Sequence, residues 1–182
     1  MQTATYTETN TALIARCKDG DNRAFKQLYD LYAKAMFNVC IRIVNDRDEA
    51  EDVLQESFIS AFKNLDQYNG TASFGSWLKR IVINRSLDAL RKKKINLISI
   101  DAIDYADEEI NDDEVVYETE TLRKAIQQLP DGYRIILSLF LFEDLTHKMI
   151  AEKLNISEGT SKSQYARARK KLQELITQTR RT

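Results

Sequence analysis

An all-α protein, with two small helical domains joined by an acidic flexible linker, is what this sequence predicts. Three observations carry that expectation. One proline and five glycines in 182 residues leave few helix breakers, while Leu, Ile, Ala, Lys, Glu and Arg recur throughout. Apolar residues return at helical spacing in most segments, and apolar–polar alternation never persists. Charge is segregated along the chain. Lys79, Arg80, Arg85 and Arg91 to Lys94 face a single acid, Asp88. From Asp101 to Glu118 acids recur without any Lys or Arg, and the end is basic again from Lys162. Two basic blocks across an acidic tether indicate two contact surfaces, which the net charge of −1 hides.

The elements follow in order. "MQTATYTETNTALIARCKDGD" lacks the basic start and apolar block of a signal peptide, and no apolar run approaches the roughly 20 residues of a membrane span. The chain therefore reads as cytoplasmic. Gly20-Asp21-Asn22 stops one segment and caps the next, in which Phe25, Leu28, Tyr29, Tyr32, Met36, Val39 and Ile43 recur at helical spacing. Asp46 caps a further helix, with Glu49 completing a capping-box pattern. Its apolar stripe is Ala50, Val53, Leu54, Phe58, Ala61 and Leu65, and Asp48, Glu51, Asp52, Gln55 and Glu56 fall largely opposite. "DQYNGTAS" is turn chemistry. The helix after it draws its buried face from Phe74, Trp77, Leu78, Ile81, Val82 and Leu90.

This first domain spans residues 1–94, and residues 95–118 are the linker, extended by acid repulsion, with Leu97, Ile98, Ile100 and Ile103 as possible anchors. The second domain, residues 119–182, opens with two helices separated at Leu129-Pro130, where Pro130 suits a first helical turn. "IILSLFLF" (Ile135 to Phe142) is a buried helical stretch. Cys17, Cys40 and the single His147 are too few and too dispersed for a disulfide framework or a metal site, and no cofactor is expected.

The chemistry concentrates in "IAEKLNISEGTSKSQYARARKKL". At about 100° per residue, Ser161, Tyr165, Ala168, Leu172, Leu175 and Ile176 gather on one side of its last helix. Lys162, Ser163, Ala166, Arg167 and Lys170 share another arc, and Ser157 is placed to cap. With Ile150, Ala151, Leu154 and Ile156 upstream, this is a helix-turn-helix presenting donors toward a major groove. Lys162 and Arg167 reach phosphate or guanine edges, Ser163 is a short hydrogen-bonding reader, and Thr160 contacts backbone. The plainer alternative is a solvated basic face, which the apolar spacing and turn argue against. The other basic block carries Trp77, Arg80, Asn84 and Arg85, an aromatic beside a cationic track that suits stacking of unpaired bases. Against this stand a core role for Trp77 and a capping or bridging role for Asn84.

Read together, "DRDEAEDVLQESFISAFKNL", "ASFGSWLKRIVINRSLDALRKKK", "LPDGYRIILSLFLFEDLTHKMIAEKLNIS" and "GTSKSQYARARKKL" closely resemble the extracytoplasmic-function sigma factors of bacteria, from about Gly20 to Ile176. The resemblance implies that Asp52, Gln55 and Glu56 dock on the clamp coiled coil of the largest subunit of core RNA polymerase. It implies that the loop Tyr68 to Ser73, with Tyr68 and Asn69, captures a base flipped from the promoter −10 element. Trp77, Arg80, Asn84 and Arg85 would then steady the opened strand. Thr160, Lys162, Ser163, Ala166 and Arg167 would read the −35 element, Ala166 offering a methyl to thymine or permitting close approach. The linker would run near the RNA exit path, its negative charge imitating nucleic acid, with an ordinary solvated tether as the alternative. Many relatives carry Val at Ser161 and Glu at Met149. No zinc-type inhibitor domain is visible, so an anti-sigma factor on another chain is an expected partner. The alternative function is a helix-turn-helix regulator that binds an operator without polymerase. An enzyme is not expected: there is no nucleotide loop, no catalytic constellation around His147 and no small-molecule substrate site.

Overall fold

The computed structural model describes residues 2–93 and 119–179, and among these every regular element is a helix. The expected linker, residues 95–118, lies outside the described residues, and with it the proposed anchors and the course past an exit path. The chain divides into two compact units at Lys94/Ile95, each with its own core.

In the first unit, α1 (Gln2–Lys18), α2 (Asn22–Val44), α3 (Arg47–Lys63) and α4 (Phe74–Lys92) are joined by short connections, with a single 3-10 turn at Leu65–Gln67. The caps explain the boundaries. Gly20 takes φ 83°, a left-handed turn that ends α1, and Asp21 then accepts from the N–H groups of Arg23 and Ala24 to start α2. Asn45, at φ 57°, closes α2. Asp46 accepts from Glu49 N at 2.9 Å and starts α3. The reciprocal half of the capping box does not form, because the Glu49 carboxylate instead takes Lys93 Nζ at 2.6 Å. An ion pair across helices wins over a bond to the local backbone.

Helices α2, α3 and α4 pack on one another, and α1 packs on α2. The α3 stripe of Ala50, Val53, Leu54, Phe58, Ala61 and Leu65 is buried as its spacing implies. The α4 face differs from expectation. Ile83 and Leu87 are buried, whereas Trp77 and Ile81 are only half-buried. The α4 axis is set by three-way packing, and the face toward α2 and α3 is rotated from the one the local pattern suggested. Helix α1 was not anticipated. Its Thr-rich sequence has weak helix propensity, and burial of Ile14 and Cys17 anchors its C-terminal half.

The second unit contains α5 (Thr119–Gln127), α6 (Asp131–Leu141), α7 (His147–Leu154) and α8 (Glu158–Thr179). Ala125, Ile126, Leu129, Leu137, Ala168, Leu172 and Ile176 form a core into which α5, α6 and α8 all contribute. Pro130 stands just before α6 rather than in its first turn, and its carbonyl accepts from Arg134 N at 2.9 Å. Ile135, Ile136, Leu137 and Leu139 are fully buried, but Leu141, next to last in the run, is 46% exposed. Arg134 is buried within this apolar helix, its guanidinium 2.6 Å from the Asp131 carboxylate. Among the described residues no helix is long and apolar enough to cross a membrane, and no cluster of three His, Cys, Asp or Glu could hold a metal ion.

Candidate nucleic-acid interface

Helix α7 begins where Thr146 Oγ1 accepts from Met149 N, and it ends where Asn155 takes φ 55°. Asparagine tolerates that left-handed geometry better than most side chains, so the chain turns here. Ser157 Oγ then accepts from Thr160 N at 2.9 Å and starts α8. The turn and the cap together set the angle between the two helices.

On α8 the apolar side is packed: Ser161, Ala168, Leu172 and Ile176 are buried, and Gln164 joins them. Lys162, Ser163, Ala166 and Lys170 are exposed on the other arc, and Arg167 is half-buried at its edge. Lys162 Nζ lies 2.8 Å from the Glu158 carboxylate one turn earlier. That ammonium holds the Glu158 carboxyl below its ordinary range. Thr160 is half-buried, its hydroxyl 2.8 Å from that of Ser157, and Ser163 Oγ donates to the Thr160 carbonyl at 3.1 Å. Thr160 is therefore tied to the Ser157 cap as well as lying near the solvent arc of α8. Met149 is 39% exposed, outside the core.

Behind the exposed arc of α8, His147 of α7 shares a 3.0 Å hydrogen bond with Ser161 Oγ and stacks on Phe140 of α6 at 4.4 Å. Tyr165 meets both rings. His147 looked idle in the sequence because its three partners come from two other helices.

In the first unit, the loop after the 3-10 turn is closed by Tyr68 Oη donating to the Ala72 carbonyl at 2.8 Å. Asn69 Oδ1 accepts from Thr71 N at 3.1 Å and from the Thr71 hydroxyl at 2.9 Å, and Gly70 takes φ 76°. Asn69 is exposed and Tyr68 half-buried, so the two loop residues differ in surroundings. Ser73 caps α4 by accepting from Ser76 N. Tyr68 and Trp77 lie 5.5 Å apart, each 5.6 Å from Phe74. Trp77 is thus half core and half surface.

Trp77, Arg80 and Asn84 fall within about 60° of one another around α4, and Arg80 and Asn84 are exposed. Arg85 lies off that line and reaches toward α3, its Nη2 3.4 Å from Ser60 Oγ. The cationic end of α4 is partly engaged as well. Arg91 pairs with Asp88 at 2.7 Å and Lys93 with Glu49.

On α3, Asp52, Gln55 and Glu56 are exposed, and Ile59, 48% exposed, extends the same stripe by one turn. Gln55 also lines a groove of about 570 Å³ between α2 and α3, together with Tyr29, Ala33, Phe37, Arg47 and Leu54. Arg47 pairs with Glu51 at 3.0 Å and lies over the Phe37 ring. The α2 wall of this groove is not legible in the sequence, because Tyr29 falls on ordinary core spacing and Phe37 beside that stripe until the helices are paired.

Comparison with known proteins adds the following. A family model described as Sigma-70 region 2 matches residues 28–95, and one described as Sigma-70, region 4 matches residues 119–172. The chain is 33% identical to the ECF RNA polymerase sigma factor SigW of Bacillus subtilis, covering 90% of this chain and 94% of that protein. It is 34% identical to the RNA polymerase sigma-H factor of Pseudomonas aeruginosa, covering 93% and 94%. Among solved structures it resembles the sigma factor RpoE of Bartonella quintana in complex with the anti-sigma factor NepR, with TM-score 0.55 and 25% identity. That match covers 84% of this chain and 96% of the other.

Proposed function

The chain belongs to the extracytoplasmic-function sigma factors, and from that premise we propose how its surfaces divide the work of transcription initiation. Bound to bacterial core RNA polymerase, it directs the enzyme to promoters through their −10 and −35 elements. Residues 1–94 bind the polymerase and engage the −10 element, and residues 119–182 engage the −35 element. Asp52, Gln55 and Glu56 form the polymerase contact, their acidic-polar stripe continued by Ile59. Tyr68 and Asn69 receive the displaced base. Trp77, Arg80, Asn84 and Arg85 steady the opened strand by stacking and by charge. Thr160, Lys162, Ser163, Ala166 and Arg167 read the −35 duplex from the major groove.

The observation that carries this reading is the match of both family regions, in order, on two separate helical units. An operator-binding regulator would leave the match over residues 28–95 without a role. The family consists of transcription factors, and we assign the chain no catalytic step. We place it in the cytoplasm with the polymerase. Because the similar Bartonella protein was solved with an anti-sigma factor, we also propose that an anti-sigma factor controls this one.

Co-elution with purified bacterial core RNA polymerase on a sizing column tests the assignment and needs no promoter. The expected result is a stoichiometric complex that a Gln55→Ala/Glu56→Ala variant forms poorly. If neither protein co-elutes, the polymerase-binding assignment is wrong and the operator-binding alternative takes its place.

A further inference from the structure

The loop at Tyr68 stands on an aromatic ring that lies outside both the loop and α4. Tyr32, in the middle of α2, meets Phe74 edge-on at 5.3 Å. Phe74 is itself 2% exposed and touches both Tyr68 and Trp77. This ring contact joins the body of α2 to the two half-exposed rings through Phe74.

Tyr32 is held from two sides. Its hydroxyl accepts a hydrogen bond from Asn10 Nδ2 of α1 at 2.7 Å. On the other side stands Gly75, where an added Cβ would lie 3.0 Å from Tyr32 Cε1. Glycine weakens a helix, so its place in the first turn of α4 calls for a local reason, and close approach of this ring supplies one. Burial raises the Tyr32 phenol above its ordinary pKa, the Asn10 hydrogen bond pulls the other way, and nearby Tyr68 adds to the rise. From α1, Lys18 Nζ also reaches the Tyr68 carbonyl at 3.4 Å.

We propose that Tyr32 is a positioning residue for the −10 loop, seated between Asn10 and Gly75 and fixing Phe74, and through it both Tyr68 of the loop that receives the displaced base and the neighbouring Trp77. Tyr32 touches no DNA in this scheme. It keeps the receiving surface formed before the base arrives, so that capture does not have to order those rings. The proposal rests on the sigma-factor reading above.

The test uses holoenzyme assembled from full-length chain and bacterial core RNA polymerase. Duplex promoter fragments randomised across the −10 region, and separately across the −35 region, are selected on each holoenzyme and sequenced. Tyr32→Phe keeps the ring and is expected to retain the wild-type base preference. Tyr32→Leu is expected to flatten the preference at the captured −10 base by about three- to tenfold, the scale of one aromatic pair. Gly75→Ala, a milder change that pushes on the same ring, is expected to act in the same direction. In all three, core co-elution and −35 preference should match wild type.

A Tyr32→Leu holoenzyme that selects the −10 base as sharply as wild type overturns the proposal. So does an equal loss of −10 preference, −35 preference and core binding, which would mark Tyr32 as a general support of the fold. A wild-type chain that fails to bind core polymerase overturns the sigma-factor reading itself, and this proposal with it.

Discussion

His147 of α7 and Ser161 of α8 share a 3.0 Å hydrogen bond at the point where the two helices of the helix-turn-helix meet. Ser161 is fully buried, and the imidazole lies flat against Phe140 of α6. One hydrogen bond and one ring stack thus join three helices behind the exposed arc of α8. Ser161→Ala would leave the ring nitrogen facing an apolar wall, so a loss of about 1–2 kcal/mol in the stability of the second unit is expected. Urea denaturation followed by circular dichroism measures it. An unchanged midpoint would show that the contact contributes nothing net.

The same histidine makes stability depend on pH. Burial, and secondarily Lys162, hold its pKa below the ordinary 6.5, while Glu158 pulls the other way. In the unfolded chain the ring takes up a proton near 6.5 that the folded chain resists. Below that pH the unfolded state binds more protons, so stability contributed by neutral His147 is present above 6.5 and is lost as pH falls toward the depressed folded value. Melting temperatures between about pH 7.5 and pH 5 should therefore decline. The decline should be shallower in His147→Phe, and identical profiles for the two proteins would exclude His147 as its source.

Asp46 sets the start of α3, and with it the direction in which Asp52, Gln55 and Glu56 point. Asp46→Ala removes the oxygen that accepts from Glu49 N. The expected cost is about 1 kcal/mol. Polymerase co-elution should weaken only as far as the first unit loses helix, which circular dichroism reports on the same samples.

Lys162 is exposed yet paired with Glu158 one turn before it. If α8 lies along duplex DNA, this ammonium exchanges its carboxylate for a phosphate. Lys162→Ala should lower the slope of log affinity against log salt by about one. Glu158→Gln should raise holoenzyme affinity for promoter DNA, because the lysine no longer has to leave a partner. Filter retention across a salt series separates the two, and a Glu158→Gln chain that binds no better than wild type would contradict the exchange. Lys93→Gln serves as a control. Lys93 is held from another helix by a Glu49 side chain only 14% exposed, unlike the open Lys162–Glu158 pair, so its loss should leave the slope unchanged.

Much of the helical plan was legible in the residues themselves. Asp21, Asp46 and Ser157 are short acceptors placed before apolar periodicity, and each caps the helix its position implied. The α8 pattern worked for the same reason. Ser161, Ala168, Leu172 and Ile176 repeat at the helical period and face the core, which leaves Lys162, Ser163 and Ala166 to solvent. Where period and partner agree, local pattern predicts burial. The pattern did less well on α1 and α4. A Thr-rich segment is helical because α2 lies beside it, and the buried face of α4 follows from two neighbours at once.

By itself, then, the sequence determined an all-helical chain, the caps that divide it, and a basic arc on its last helix, because these depend on neighbours within one or two turns. Tertiary structure alone decided that His147 meets Ser161, that Arg85 turns toward Ser60, that Glu49 goes to Lys93 rather than its own cap, and that Tyr32 lies beneath Phe74. Each of those contacts joins side chains on different helices, and backbone periodicity carries no information about which helix another will meet or at what rotation.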